Sequence, residues 1–130
     1  MALDLDALSP EVLAFLAERH LASLTTVRTD GRPHVVPVGF SYDPDLRIAR
    51  VITFAPSVKA RLLGDGPRPA AICQVDGGRW LTLEGTATVT DDHDRVAAAV
   101  AGYAARYRVP GERPDRVAIE LSVERLMGRA

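Results

Sequence analysis

The middle of the chain contains a β-branched strand that runs directly into the start of a helix: Arg47-Ile-Ala-Arg-Val-Ile-Thr-Phe-Ala-Pro-Ser-Val-Lys-Ala-Arg61. Val, Ile, Thr and Phe favour a strand, whereas Ser57 is a good N-cap for a helix. The first amide groups of a helix lack partners within it, and the helix dipole favours an anion there. With the Ser57 hydroxyl and the Lys59 ammonium, they predict a phosphate site. The alternative is a surface helix in which Ser57 is only a cap and Lys59 is only solvated.

Turn residues divide the rest of the sequence into short strands and helices. Helices are predicted over residues 9–20, 58–63 and 91–108. Six strands are predicted, over residues 21–28, 34–42, 47–54, 70–75, 79–90 and 116–127. Because most strands are joined by loops of hairpin length, the sheet should be mainly antiparallel. We therefore expect one domain over residues 1–130, an α+β barrel of six strands that is closed or nearly closed, with helices packed outside.

Two of the predicted strands carry residues that interrupt regular pairing. Pro37 stands in the middle of its strand, which requires an edge or a bulge and leaves neighbouring backbone groups free. Gly39 allows a close approach to that backbone, so a planar, hydrogen-bonding ring could lie there. Gly85 is expected to form a bulge in the fifth strand.

Composition excludes several classes of protein. Sixteen basic and seventeen acidic residues leave a net charge of −1, so a nucleic-acid partner is not expected. The acidic amino terminus resembles no export signal, and no apolar run approaches the roughly 20 residues of a membrane span. The single cysteine, Cys73, lies in an apolar strand, which predicts a buried, reduced thiol in a cytoplasmic protein.

Side chains that could carry catalysis by themselves are nearly absent. The spacing of His20, His34 and His93 matches no metal motif, and a metal site is not expected. No nucleophile elbow and no acid–base pair can be identified. We therefore assign no catalytic residue and expect a cofactor to carry the chemistry, while the protein supplies binding and orientation.

Two residues of the fourth and fifth strands have more than one interpretation. Gln74 is polar in an apolar strand, and a buried amide needs partners, so it either spans a subunit interface or touches a ligand. Trp80 could flank a planar ring or a phosphate, or it could be a core or dimer-interface aromatic residue.

Three segments together resemble a known superfamily. They are Leu24-Thr-Thr-Val with Gly31-Arg-Pro-His-Val-Val-Pro-Val-Gly-Phe40, Arg50-Val-Ile-Thr with Ser57-Val-Lys59, and Val75-Asp-Gly-Gly-Arg-Trp-Leu-Thr-Leu-Glu-Gly85. In order and spacing they are similar to the split β-barrel flavin and deazaflavin proteins, the pyridoxamine 5'-phosphate oxidase-like superfamily. Gln74-Val-Asp-Gly-Gly-Arg-Trp-Leu81 and Tyr103-Ala-Ala-Arg-Tyr-Arg108 most resemble its coenzyme F-420-dependent biliverdin reductase type.

The resemblance implies a cofactor site in a homodimer. Ser57, Lys59 and the Ala60 amide would hold the cofactor phosphate, and the backbone of Pro37 and Val38 would meet the ring. Thr53 would belong to the same site, and the other subunit would supply Gln74, Arg79 and Trp80. Many relatives have a bulkier residue than Gly39, so space there suggests a slot for a large planar substrate.

The expected function is transfer of a hydride from reduced coenzyme F-420, a deazaflavin, to a conjugated acceptor such as the tetrapyrrole biliverdin. One alternative is an FMN-dependent oxidase of the pyridoxamine-phosphate type. Another is a non-catalytic protein that binds a flavin, a deazaflavin or a tetrapyrrole.

Overall fold

The structure, a computed structural model, describes residues 2–130 and is built around one antiparallel sheet of seven strands. The helices are α1 (Pro10–Ala17), α2 (Val58–Leu62) and α3 (His93–Arg106). The strands are β1 (Ala22–Val27), β2 (Pro33–Val38), β3 (Ser41–Asp43), β4 (Ile48–Phe54), β5 (Arg68–Asp76), β6 (Arg79–Thr90) and β7 (Arg116–Arg129). Their order in the sheet is β2-β1-β5-β6-β7-β4-β3. The α+β class and the antiparallel pairing are confirmed.

The strand count corrects the prediction, because the strand expected over residues 34–42 is two strands. Gly39 and Phe40 separate β2 from β3, and these two strands form opposite edges of the sheet. The sheet is therefore not closed by a ladder of hydrogen bonds. Since only two residues join its edges, the edges must nevertheless lie close together. We call residues 39–40 the seam.

Local signals explain most of the helix and strand boundaries. The Ser9 hydroxyl accepts a hydrogen bond from the Val12 amide at 3.2 Å and starts α1, which ends three residues earlier than expected. The register of β6 and β7 shifts at Gly85, as predicted, and a Cβ atom there would lie 1.8 Å from the Ser122 carbonyl oxygen. Pro37 lies in the edge strand β2, where its missing N–H is tolerated.

The core fills the inside of the curved sheet. Inward-facing strand residues such as Leu24, Ile72 and Leu83 are completely buried, and Phe15 of α1 packs with them. Phe40 turns its ring inward from the seam and is also completely buried. Cys73 is a free thiol that is only half-buried, because it points to the opposite face of β5. This corrects the expectation of a buried thiol.

The helices pack against different strands, and α2 contacts β1. α3 contacts β3, β4 and β7, and α1 contacts β3. None of the helices in residues 2–130 has the length and apolar character needed to span a membrane. The carboxyl end of α3 thus comes to lie beside the seam, where the candidate site is found.

Candidate functional site

A cavity of about 380 Å³ lies next to the seam. It is bordered by the end of β2, by β4 and by the segment that follows α3. Five residues predicted from the sequence line it: Pro37, Val38, Gly39, Thr53 and Lys59. The structure therefore brings the expected ring-binding backbone and the expected phosphate-binding lysine to one place.

The cavity is electropositive. Besides Lys59, the cations Arg108, Arg113 and Arg116 line it, and no carboxylate is among the described residues that do so. Arg113 is paired with Asp115 at 2.7 Å, but the other three cations have no ion pair within residues 2–130. Unpaired cations around a cavity favour an anionic ligand. This donor set fits a cofactor that carries a phosphate or carboxylates.

Lys59 is half-buried. Burial lowers the pKa of the Lys59 ammonium from its ordinary value. Burial and the charges of Arg28 and Lys59 lower the pKa of nearby His34, whose buried Nδ1 has no hydrogen-bond partner in the described part of the chain. A bound anion would relieve this accumulation of positive charge.

Two of the cations lie near the same aromatic ring. The Lys59 Nζ lies 6.0 Å from the centroid of the Phe54 ring, and the Arg113 guanidinium carbon lies 4.0 Å from it. Both distances suit cation–π attraction. Phe54 ends β4 and thereby positions a cation from α2 and another from the segment after α3.

Ser57 caps α2, as the alternative interpretation of the sequence has it. Its hydroxyl oxygen accepts hydrogen bonds from the Ala60 amide at 3.2 Å and from the Thr53 hydroxyl at 3.0 Å. A serine oxygen accepts two such bonds and keeps one proton to donate. The Ala60 amide is thus already satisfied, whereas the Ser57 O–H can still serve a ligand. A phosphate contact by these residues stays a prediction.

The open slot expected over Gly39 is absent. A Cβ atom on Gly39 would lie 3.0 Å from the rings of both Tyr103 and Tyr107, which pack against each other with centroids 4.9 Å apart. The space left by the missing side chain is therefore filled by aromatic rings of α3 and its C-cap. Contact between Gly39 and a substrate stays a prediction, and it could involve only the side of Gly39 that faces the cavity.

Gln74 has a use within the subunit that the sequence did not suggest. It is completely buried, its Nε2 donates to the Phe15 carbonyl oxygen at 2.8 Å, and its Oε1 accepts from the Arg106 guanidinium. Its polar atoms are satisfied without a second subunit or a ligand. Any effect of Gln74 on a cofactor would have to pass through these neighbours.

Arg79 and Trp80 are the first two residues of β6 and lie outside the cavity. Arg79 donates to the Glu18 carboxylate at 2.7 Å and to Asp76, and its guanidinium stacks 4.3 Å from the Phe15 centroid. Trp80 is 36% exposed. A contact from either residue to a cofactor bound in a partner subunit stays a prediction.

The residues around Arg79 include the one group of potential metal ligands found in the described residues. Ligand atoms of Glu18, His20 and Asp76 lie within 4.8 Å of one another. The Arg79 guanidinium bonds both carboxylates and, as the principal cause, lowers the pKa of each. These carboxylates are therefore neutralised by arginine.

Sequence reasoning missed part of the cavity wall. Tyr103 and Arg108 appeared only within a resembling segment, and Arg113 and Arg116 were not singled out. A signal was present, since arginine recurs at 106, 108, 113 and 116, from the end of α3 to the start of β7. The segment has no helical or strand periodicity, so its side chains could not be assigned to a common face.

Comparison with known proteins identifies relatives of the chain. The family model for pyridoxamine 5'-phosphate oxidase matches residues 8–129. An F-420H(2)-dependent biliverdin reductase from Mycobacterium tuberculosis is 54% identical over 123 residues, which cover 95% of this chain and 89% of that protein.

Solved structures show the same fold. An F-420 reductase has a TM-score of 0.71 at 25% identity, covering 93% of this chain and 98% of its own. A conserved hypothetical protein from Mycobacterium tuberculosis has a TM-score of 0.78 at 21% identity, covering 95% and 85%. Because the family model spans nearly the whole chain and more than half of the aligned residues match a curated relative, this chain belongs to the pyridoxamine 5'-phosphate oxidase family.

Proposed function

We propose that this protein is a coenzyme F-420-dependent reductase that transfers a hydride from the reduced deazaflavin to a conjugated acceptor, with biliverdin as the substrate. The observation that carries the proposal is the 54% identity, over 95% of the chain, to an F-420H(2)-dependent biliverdin reductase. The electropositive cavity supports it independently, because both the cofactor and a bilin carry acidic groups.

The polar residues that line the cavity and the adjacent Ser57 would bind different groups of the ligands. Lys59 and the free proton of Ser57 would hold the cofactor phosphate next to Thr53. Arg108 and Arg116 would meet carboxylates of the cofactor tail or of the substrate. Each charge-assisted hydrogen bond of this kind contributes about 1.5–3 kcal/mol.

The edge strand β2 would orient the ring. On the side that faces the seam, β2 has no neighbouring strand, so backbone groups at Pro37 and Val38 can bond a ligand. When bound, the reduced deazaflavin supplies the hydride. The chain's part is to hold donor and acceptor rings at about 3–3.5 Å, the separation of a near-attack arrangement.

A spectroscopic assay tests the proposal. Purified protein is incubated with reduced F-420 and biliverdin, and we expect the bilin absorption to convert to that of the reduced product as the cofactor is oxidised. Tight bilin binding without turnover would support a carrier instead. A protein that retains FMN and oxidises pyridoxamine phosphate would support the oxidase.

We also propose that the protein acts as a homodimer that completes the site. Across three strands, Val35, Thr25 and Ala71 lie side by side, as do Pro37, Ser23 and Cys73 in the next outward-facing row. These rows are uncharged, and Val35 is 58% exposed. An obligate dimer buries on the order of 2,000 Å² or more, and a flat, uncharged sheet face is suited to that.

Charge insertion tests the dimer. Val35→Asp should produce monomers at micromolar concentration, because each subunit would have to desolvate a carboxylate in the interface. Leu46→Asp is the matched control, since Leu46 is 61% exposed in the turn between β3 and β4. Analytical ultracentrifugation measures both variants. A Val35→Asp protein that still sediments as a dimer would rule out this face.

We propose a cytoplasmic location as well, in keeping with the free, half-buried thiol of Cys73. Fractionation of cells that express the protein from its natural locus checks this, and recovery in the secreted fraction would contradict it.

A further inference from the structure

The backbone of Phe40, in the seam, is held by side chains instead of by a neighbouring strand. Its N–H donates to the Tyr107 hydroxyl at 3.2 Å, and its carbonyl oxygen accepts from Nη1 of Arg106 at 2.8 Å. Arg106 is the last residue of α3 and Tyr107 is its C-cap, and both lie more than 60 positions along the chain. A short side-chain bridge thus replaces the hydrogen-bond ladder that would otherwise close the barrel.

The same two side chains reach the end of α1 and β5. The Tyr107 hydroxyl donates to the His20 carbonyl oxygen, and Nε of Arg106 donates to the Glu18 carbonyl oxygen at 2.7 Å. Arg106 also donates to the Gln74 side chain. The seam is therefore fixed relative to three separate elements by two adjacent residues.

The Arg106 guanidinium is in an environment that is costly for a charge. Only 8% of the residue is exposed, and burial lowers the pKa of its guanidinium. Its acceptors are neutral oxygens, and its guanidinium carbon lies 4.6 Å from the Phe40 ring centroid. Apolar side chains would fill such a space at a lower desolvation cost. What the planar guanidinium adds is a defined position for each oxygen that it bonds.

The backbone next to Phe40 forms part of the cavity wall. Gly39 precedes Phe40 directly and lines the cavity together with Pro37 and Val38. The Tyr107 ring packs against Gly39, so this backbone contacts both the cavity and the C-cap of α3. A displacement of Phe40 would move the same backbone that is expected to meet the cofactor ring.

We propose that Arg106 and Tyr107 are positioning residues: they fix the backbone of residues 37–39 against the cofactor ring, without touching substrate themselves. This inference rests on the proposed function for the identity of the ring. The bridge itself is a property of the chain, and it can be measured without any cofactor.

Tyr107→Phe is the main test, because it removes only the hydroxyl and keeps the ring that packs on Gly39. Tyr42→Phe is the matched control: the buried Tyr42 hydroxyl has no partner in residues 2–130, and Tyr42 lies outside the cavity. Hydrogen exchange of the Phe40 amide, followed by NMR in protein without cofactor, should become at least about tenfold faster in Tyr107→Phe alone.

Steady-state kinetics then separate positioning from mere stability. Well below the melting temperature, Tyr107→Phe should lower kcat about tenfold or more while KM for biliverdin stays within about twofold, because misplacement of the ring affects the reacting geometry. Arg106→Lys keeps the charge but loses the planar guanidinium and its several donors. This variant should also lower kcat if it folds. Tyr42→Phe should match the wild type.

Each remaining outcome counts against the positioning role or against the proposed function. Unchanged exchange at Phe40 would show that the bridge does not hold the seam. Faster exchange with unchanged kcat would make the bridge structural only. A wild type that binds FMN instead of F-420 would refute the proposed function, and the same comparison of variants with FMN would then decide the positioning role. A wild type that binds neither cofactor would refute both.

Discussion

In the cavity beside the seam, Lys59, Arg108 and Arg116 have no ion-pair partner within residues 2–130, whereas at the end of α1 the cations Arg79 and Arg106 are surrounded by acceptors. The two regions use similar side chains for opposite purposes. Where a cation donates to several oxygens of the chain, it stabilises the fold. Where it does not, the cation stays available to a ligand. Substitutions of matched residues should therefore affect stability in one region and affinity in the other.

The largest contrast is expected between Arg106→Met and Arg108→Met. Removing the Arg106 guanidinium leaves the oxygens of Glu18, Phe40 and Gln74 without its donors, at about 1–3 kcal/mol each, so we expect a loss of at least about 3 kcal/mol. Arg108 is exposed, and its replacement should change the free energy of unfolding by less than about 0.5 kcal/mol. Urea unfolding measures both. Equal losses would mean that the two regions do not differ in this way.

Lys59→Ala should weaken binding of F-420 by about 1.5–3 kcal/mol, roughly 10- to 150-fold, because the cofactor phosphate loses a charge-assisted hydrogen bond from the ammonium. The free energy of unfolding should barely change. Fluorescence titration measures the affinity. Arg61→Ala is the control, since Arg61 is exposed on the same helix and does not line the cavity. If both variants bind F-420 as tightly as the wild type, Lys59 does not hold the phosphate.

Binding should also depend on pH through Lys59. Because burial lowers the pKa of Lys59, its charge is lost at a lower pH than that of an ordinary lysine, whose pKa is 10.5. We therefore expect the affinity for F-420 to fall as the pH rises towards that value. Lys59→Arg should remove this decline, since arginine stays charged. Titrations from pH 7 upwards test it, and parallel curves for the two proteins would contradict it.

The smallest effect is expected for Arg79→Gln. Arg79 lowers the pKa of the Glu18 and Asp76 carboxyls, so the pairs stabilise the fold above the ordinary carboxyl range near pH 4 and lose this effect as the pH falls through the lowered values. The variant should have a slightly lower free energy of unfolding than the wild type at pH 7. This difference should disappear in acid. Urea unfolding at both pH values measures the difference, and a difference that does not change with pH would contradict the prediction.

Affinity for F-420 adds a second test of Arg79. If the Arg79 guanidinium is fully engaged by its two carboxylate partners, it does not contact the cofactor. The affinity of Arg79→Gln for F-420 should then stay within about twofold of the wild type. A loss of tenfold or more would instead place Arg79 in the site of the partner subunit, as the family resemblance implies.

Features that depend on neighbouring residues could be predicted from the sequence. The cap at Ser9, the bulge at Gly85 and the helix that starts after Ser57 are local, and all three are observed. The break at Phe40 could not be predicted, because its backbone partners lie 66 and 67 residues away. The pairing of Arg79 with Glu18 spans 61 residues, so a surface arginine and a ligand-binding one look alike in the sequence.

The seam also has a consequence for the order of folding. Its hydrogen bonds close loops of 66 and 67 residues, while the β5–β6 hairpin needs only a tight turn. Closing a long loop costs entropy before any contact compensates for it, so the seam should form after the transition state. Tyr107→Phe should then speed unfolding and leave the refolding rate nearly unchanged, which stopped-flow kinetics can measure; slower refolding would contradict it. We therefore expect the barrel to open and reclose along its seam while the sheet from β5 to β7 remains intact.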